Sequence, residues 1–212
     1  LIMKYVESNQ TKILDVGVGM GRLLVFVPQC QRYGMDISMD YLKYAKLKGI
    51  EVCMSRIENM PYQDQFFDVI VTTDVLEHVL DLNLAVSRIL SALKQGGILI
   101  VRVPFRENLS PYCSSCYPYD LVHLRNFDEN SLRMLFEKIF NLQILEWNLT
   151  GYRGGRLSIG GNIRYYSGII HRLMKATRML SEDLHWYLCK RLYSPTEIHM
   201  VIRNSKKDVQ RN

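Results

Sequence analysis

The 212-residue sequence contains no apolar run approaching the roughly 18 to 20 residues that a membrane-spanning helix needs, so a polytopic membrane protein is excluded. Its five cysteines (Cys30, Cys53, Cys113, Cys116 and Cys189) are odd in number and lack framework spacing. A disulfide scaffold is therefore excluded, and a reducing, cytoplasmic setting is expected. No secretory signal is read at the start, because LIMKYV contains a lysine and continues into polar ESNQTK. The chain opens on Leu1, so an upstream piece is expected. Internal repeats and low-complexity tracts are missing as well.

What is present has the balance of an ordinary soluble domain, 48% apolar and 23% charged. Charge is unevenly placed. Residues 1–150 carry 15 Lys and Arg against 17 Asp and Glu, whereas residues 151–212 carry 12 against 4. The whole positive excess sits in the last third.

Short runs rich in Val and Ile alternate with helical patterns, which predicts a layered α/β sheet. Strands are expected at Lys12–Gly17, Gln31–Asp36, Ile50–Met54, Phe67–Thr73, Ile98–Val103, Leu142–Leu149 and Glu197–Arg203. The fourth and fifth are nearly continuous in apolar residues, as strands covered on both faces are. Helices are expected after the N-caps Asp81 and Asp128, the second with a buried stripe of Leu132, Leu135, Phe136 and Ile139. Between Thr150 and Pro195 the chain reads as a large insertion. It opens with the glycine-rich GYRGGRLSIGGN and continues as one long amphipathic helix with Ile169, Leu173, Ala176, Leu180, Leu184, Tyr187 and Leu188 on one side.

The most informative stretch is ILDVGVGMGR, residues 13–22, where a strand runs into three alternating glycines and a helix is expected from about Met20. Glycines serve where the chain turns sharply and where backbone must approach a ligand. The end of the first strand is where open α/β sheets bind nucleotides. The dinucleotide fingerprint asks for a small residue at position 22, where this chain has Arg22, and no G-K-[ST] follows, which excludes a P-loop. Asp36 ends the second strand, placed to accept hydrogen bonds from a ribose.

LDVGVGMG followed by GMDIS resembles the first two motifs of class I S-adenosylmethionine-dependent methyltransferases. MPYQDQFFDVIVTTDVLEHVLD is similar to their third and fourth strand ends, in the small-molecule branch, and KQGGILIVRVP to the fifth-strand motif. The resemblance covers residues 11–150 and the final strand, five motifs in order. It implies one methyltransferase domain of Rossmann-like fold, with a seven-stranded mostly parallel sheet, helices on both faces and a helical insertion before the last strand. Residues 1–150 would be the cofactor core, 151–195 the insertion or lid, and 196–204 the last strand. S-adenosylmethionine would be the cofactor, with the backbone of Gly17, Gly19 and Gly21 against its methionine moiety. Asp15 would orient that loop, Asp36 hold the ribose, Ile37 and Ile57 enclose the adenine with Glu58 nearby, and Asp74 sit beside the methionine portion. One departure stands out: the position before Ile57, usually acidic in this family, is Arg56, which cannot accept a hydrogen bond.

An activated methyl group needs only alignment, exclusion of water and, for some acceptors, removal of a proton. His78 and His123 are the histidines expected to face it, as candidate bases, whereas His171, His185 and His199 are read as structural. No metal is expected, because Cys113 and Cys116 form a lone C-x-x-C with only His123 and the distant Cys189 to complete a zinc set. Tyr112, Tyr117 and Tyr119 could wall an acceptor pocket. The basic, aromatic insertion has three readings: a lid, an RNA-binding surface with Tyr165, Tyr166 or Trp186 stacking on bases, or peripheral contact with an anionic membrane through 165–192. The reading adopted is methyl transfer to an oxygen or nitrogen of a small-molecule or lipid-linked acceptor, with nucleic acid not expected as a partner. The alternatives kept are an RNA methyltransferase and a non-catalytic cofactor-binding module.

Overall fold

A computed structural model describes residues 1–6, 8–118, 122–152 and 167–205, the side chains of 167–171 and 178–179 aside. The strands are β1 (Lys12–Val16), β2 (Gln31–Asp36), β3 (Glu51–Met54), β4 (Phe67–Thr73), β5 (Leu93–Pro104), β6 (Gln143–Thr150) and β7 (Glu197–Arg203). They form a single sheet in the order β3-β2-β1-β4-β5-β7-β6. β1 to β5 are parallel, and β7 runs antiparallel to both β5 and β6. The expected architecture is the observed one.

Side chains alternate between two cores, as the period of a strand requires. Leu14, Val16, Ile70, Leu99 and Val101 join one core with α2 (Leu82–Ala92) and α3 (Glu129–Arg133). Ile13, Val69, Val71, Ile98 and Ile100 join the other with Leu42 and Ala45 of α1 (Met39–Leu47). Asp81 and Asp128 are N-caps, accepting from the backbone of Leu84 and Ser131. Among the described residues no helix is long and apolar enough to cross a membrane.

Four local expectations fail. No α-helix follows the glycine loop. Gly21, at φ +71°, and Pro28 leave room only for turns and a 3-10 helix over Leu24–Phe26. β5 begins at Leu93, directly after α2, and runs through Gly96 and Gly97, which the sequence reads as a stop before a strand at Ile98. Ile139 is 59% exposed, because α3 runs into a π-helical turn over Met134–Ile139 that rotates it off the buried stripe. The long helix is two, α4 (Ser167–Leu180) and α5 (Glu182–Leu192), broken at Ser181, whose hydroxyl caps α5 by accepting from the Leu184 N–H. The break turns Leu173, Leu180, Leu184 and Tyr187 outward, and the buried set is Met174, Cys189 and Tyr193. Most of GYRGGRLSIGGN, with Tyr119, Tyr165 and Tyr166 and the side chains of Ile169, His171 and Arg178, lies outside the described residues.

Asn204, just past β7, is a core polar residue the pattern does not announce. Its amide donates to the carbonyls of Leu93 (3.1 Å) and Lys94 (3.2 Å), where α2 passes into β5. Replacing it leaves buried carbonyls without donors. Asn204→Ala is therefore expected to lower unfolding free energy by about 1–3 kcal/mol in urea titrations, and an unchanged midpoint would show the amide to be dispensable.

Candidate functional site

The C-terminal edge of the parallel strands gathers the glycine loop, Asp36, Asp74 and the two candidate histidines. At the end of β1, Gly17 and Val18 donate their N–H groups to Met35 O of β2 (2.7 and 3.0 Å), which clamps the loop against the neighbouring strand. The three glycines then differ in what they do. A Cβ on Gly17 would stand 2.3 Å from Val75 Cγ2, and one on Gly21 2.5 Å from Ile50 Cδ1, so both answer to the protein's own packing. Gly19, at φ +50°, has no atom within 4 Å of that position. It borders open space, and there a side chain would fill what a ligand could occupy.

The Asp36 carboxylate is fixed by two main-chain donors, Gly19 N–H to Oδ2 (2.8 Å) and Ser38 N–H to Oδ1 (2.9 Å). It remains half-exposed, with lone pairs left for further donors. Next to it Ile37 is 63% exposed, an apolar side chain awaiting a partner surface. Ile57 lies in the core, Glu58 is half-buried, and Arg56 is exposed at the head of the 3-10 helix Ile57–Asn59.

Asp15 lies in β1 beneath the loop, fully buried, with Oδ1 lacking a hydrogen-bond partner among the described residues. Burial pushes its carboxyl up to about 7, repulsion from Asp36 adds to this, and Arg102 opposes it. Asp74 follows β4 in a left-handed conformation (φ +57°), a strained geometry typical of functional turns. It is held there by Arg102 of β5, which donates through Nη2 and Nε and whose carbonyl accepts the Asp74 N–H (3.0 Å). Neither Arg102 nor this pairing was singled out from the sequence. The signal was its place opposite Thr73 in the sheet, which needs the register to be known.

Beyond Asp74 the structure brings His78 and His123 together, their rings edge-to-face with centroids 4.6 Å apart. Each is held through Nδ1. His78 meets the carbonyl of Val122 (3.0 Å), and His123 meets the Glu107 carboxylate and the Tyr112 hydroxyl (3.1 Å). Glu77 is fully buried between them and the core. Burial pushes its carboxyl up to about 7, partly offset by its own backbone N–H and reinforced by Asp74. Burial also lowers the pKa of His78. Arg125 fastens the turn, donating to the carbonyls of Leu76 (2.9 Å), Val79 and Leu80 (3.2 Å). Cys113 and Cys116 are exposed. His185 is a buried structural residue between Thr177 Oγ1 (3.1 Å) and Cys189 Sγ (3.5 Å).

This edge has the layout of a nucleotide-type cofactor site in its first half and a separate polar cluster in its second. A family model described as "Methyltransferase domain" matches residues 14–101. The putative methyltransferase BH2331 of Bacillus halodurans superposes with a TM-score of 0.66 at 16% identity, covering 97% of each chain. The fold is that of a class I methyltransferase. The tRNA (carboxymethyluridine(34)-5-O)-methyltransferase of Arabidopsis thaliana is 34% identical over 107 residues, 48% of this chain and 26% of that protein. The norajmaline N-methyltransferase of Rauvolfia serpentina is 28% identical over 137 residues, 58% and 46% of the two chains. The chain spans half or less of the length of these curated relatives.

The class I methyltransferase fold and the family model imply S-adenosylmethionine as the cofactor. The residues present fit that group, with an open cradle at Gly19, a pre-oriented carboxylate at Asp36, an uncovered apolar residue at Ile37 and an unpartnered buried oxygen on Asp15. Two readings are corrected by the comparisons. The small-molecule branch is not singled out, because a tRNA enzyme matches at least as well as a small-molecule one. The expectation that nucleic acid is no partner is overturned by the same tRNA relative. The motifs shared by the class I methyltransferase fold report the donor half of the site and carry little about the acceptor.

Two predictions follow from the loop. Asp36→Ala is expected to weaken binding of S-adenosylhomocysteine by about 1–3 kcal/mol, and Gly19→Val to abolish it, both read by calorimetry on folded protein. Full affinity in either variant would move the cofactor elsewhere. A further prediction concerns Asp15, whose folded-state pKa lies above its unfolded value. Its protonation stabilises the fold fully below about pH 4 and ceases to do so as pH rises through about 7. Asp15→Asn should therefore gain stability over the parent chain with rising pH across that window, by up to about 4 kcal/mol. Parallel stability–pH curves for the two proteins would refute the buried carboxyl as their difference.

Proposed function

We propose that the chain transfers a methyl group from S-adenosylmethionine to an oxygen or nitrogen atom of an RNA nucleotide. The observation that carries the acceptor class is the placement of the basic insertion. β6 ends and β7 begins at the edge where the glycine loop lies, so α4 and α5 rise from the acceptor side of the site. Arg172, Lys175, Lys190 and Arg191 are exposed there. Tyr187, 54% exposed, lies under the Arg191 guanidinium at 5.0 Å. Cations beside a half-exposed aromatic ring suit phosphates and an unstacked base. The tRNA methyltransferase relative supports the same acceptor class.

In this reading Gly17–Gly21, Asp36 and Ile37 hold the donor, which supplies the activated methyl group. Asp74, fixed by Arg102, orients the donor's charged end. His78 and His123, each locked through Nδ1, keep their remaining nitrogen for the acceptor half of the site. The chain's contribution is alignment and exclusion of water, which together supply on the order of 7–11 kcal/mol of the barrier reduction.

The test is transfer of labelled methyl from S-adenosylmethionine into total tRNA, against a panel of small amines and phenols. Label is expected in RNA. Binding should weaken with salt, and Lys190→Ala with Arg191→Ala should each lower the log–log salt slope by about 1. Transfer confined to the small molecules, with no RNA binding, would overturn the acceptor class while leaving the donor site standing.

A further inference from the structure

We propose that Glu77, His78 and His123 form a binding site for a first-row divalent cation such as zinc, cobalt or manganese. Among the described residues they are the group of His, Cys, Asp and Glu in which one donor atom from each lies within 4.8 Å of the other two. An ion with bonds of about 2.0–2.2 Å asks for donors about 3–3.5 Å apart. Closure therefore needs side-chain adjustment on the order of an ångström, with no rearrangement of the backbone.

The Glu77 side chain is the first sign. It is fully buried, and among the described residues neither carboxylate oxygen reaches a partner outside its own residue. Buried carboxylates are ordinarily paired, hydrogen-bonded or bound to metal, because burying an uncompensated polar group is costly. The unpartnered oxygens of Glu77 share a cluster with two imidazoles and no arginine or lysine that bonds them. Two neutral nitrogen donors and one anionic oxygen donor form the set found in catalytic zinc and non-haem iron sites. All-oxygen cages for calcium or magnesium look different.

The second sign is the arrangement around the imidazoles. A metal-binding histidine nearly always donates its other ring N–H to a carboxylate or a backbone carbonyl, which fixes tautomer and orientation. His78 presents Nδ1 to the Val122 carbonyl at 3.0 Å, and His123 presents Nδ1 to Glu107, itself held by the Tyr112 hydroxyl at 2.8 Å. Each ring thereby keeps Nε2 as its lone-pair donor. The backbone is fixed as well, because Leu124 N–H donates to Glu77 O (2.8 Å) and Arg125 grips the carbonyls of the Leu76–Leu80 turn.

Three protein ligands leave coordination positions open. On the methyl-transfer reading, those positions would take the acceptor's hydroxyl and lower its pKa as a Lewis acid does. Cation binding itself does not depend on that reading. Metal binding without methyl transfer, or transfer that survives chelation, would separate the two.

The experiment is titration of the chelator-stripped full chain with Co2+, followed by visible absorption, and with Zn2+ by calorimetry, in the absence of cofactor and acceptor. One ion per chain is expected, with cobalt bands of low-coordinate nitrogen and oxygen ligation. Glu77→Gln and His123→Asn should each weaken binding at least tenfold, and Glu107→Gln, outside the ligand set, by about 10–100-fold. Thermal melts check that each variant folds, and His78→Asn substitutes for any that does not. Absence of saturable one-to-one binding in the parent chain would overturn the site. Affinity unchanged in the folded ligand variants would do so equally.

Discussion

The two hydrogen bonds that Asp36 accepts, from Gly19 and Ser38, are what the donor half of the edge depends on. Each joins the end of one strand to the turn leaving it or its neighbour, so a single carboxylate sets the relation of the β1 loop to the start of α1. Without an α-helix after the loop, the usual row of free N–H groups at a helix start is missing, and the loop's shape rests on side-chain and strand contacts instead. The N–H groups of Gly17 and Val18 on Met35 and the Lys48 ammonium on the Met20 carbonyl (2.7 Å) complete that hold. A loop fixed in this way can offer open space at Gly19 without collapsing into it.

The same edge concentrates polar groups that the fold alone does not need. Asp15 and Glu77 are buried carboxyls whose pKa values are raised to about 7 by burial, and Asp74 sits in a strained left-handed turn. In a protein under selection for stability only, carboxyls buried like Asp15 and Glu77 would be apolar or paired, because each costs free energy while unpartnered. Their clustering on one side of the sheet is the physical signature of a site whose missing partners are ligands. Arg102 links the two halves, bonding Asp74 while lowering the proton affinity of Asp15 through space.

Much of this was legible in the sequence, and for stated reasons. The near-continuous apolar runs of β4 and β5 mark strands covered on both faces, and the glycine spacing marks the turn after β1 that Asp36 holds and that borders open space at Gly19. His78 and His123 are 45 positions apart, yet they meet because they follow neighbouring parallel strands, which the motif order already implied. The parts that escaped depend on register or on local geometry. Arg102 is recognisable as a partner of Asp74 only once it is seen opposite Thr73. Glu107 and Tyr112 read as loop residues until the loop folds back on His123. The α4–α5 break did have a signal, a serine followed by two acids at 181–183, but an amphipathic stripe running through it masked the cap. Asn204 bonds carbonyls about 110 positions away, a contact that no periodicity reports.

Topology explains why donor and acceptor differ so much in legibility. β1, β2 and β3 form one side of the sheet and supply the cradle, β4 ends at the centre with Asp74, and β5, β7 and β6 form the other side. Because β7 runs antiparallel, the chain leaves β6 and enters β7 at the functional edge, so the insertion springs from that edge. The insertion has its own small core of Met174, Cys189 and Tyr193, with Tyr152 packed against it. Its length, charge and exposed residues can therefore change without disturbing the strands that shape the donor loop. The matched family model stops at residue 101, within β5 and before β6, the insertion and β7. On the proposed function, acceptor identity is therefore to be sought in the insertion and in the polar cluster at the same edge of the sheet.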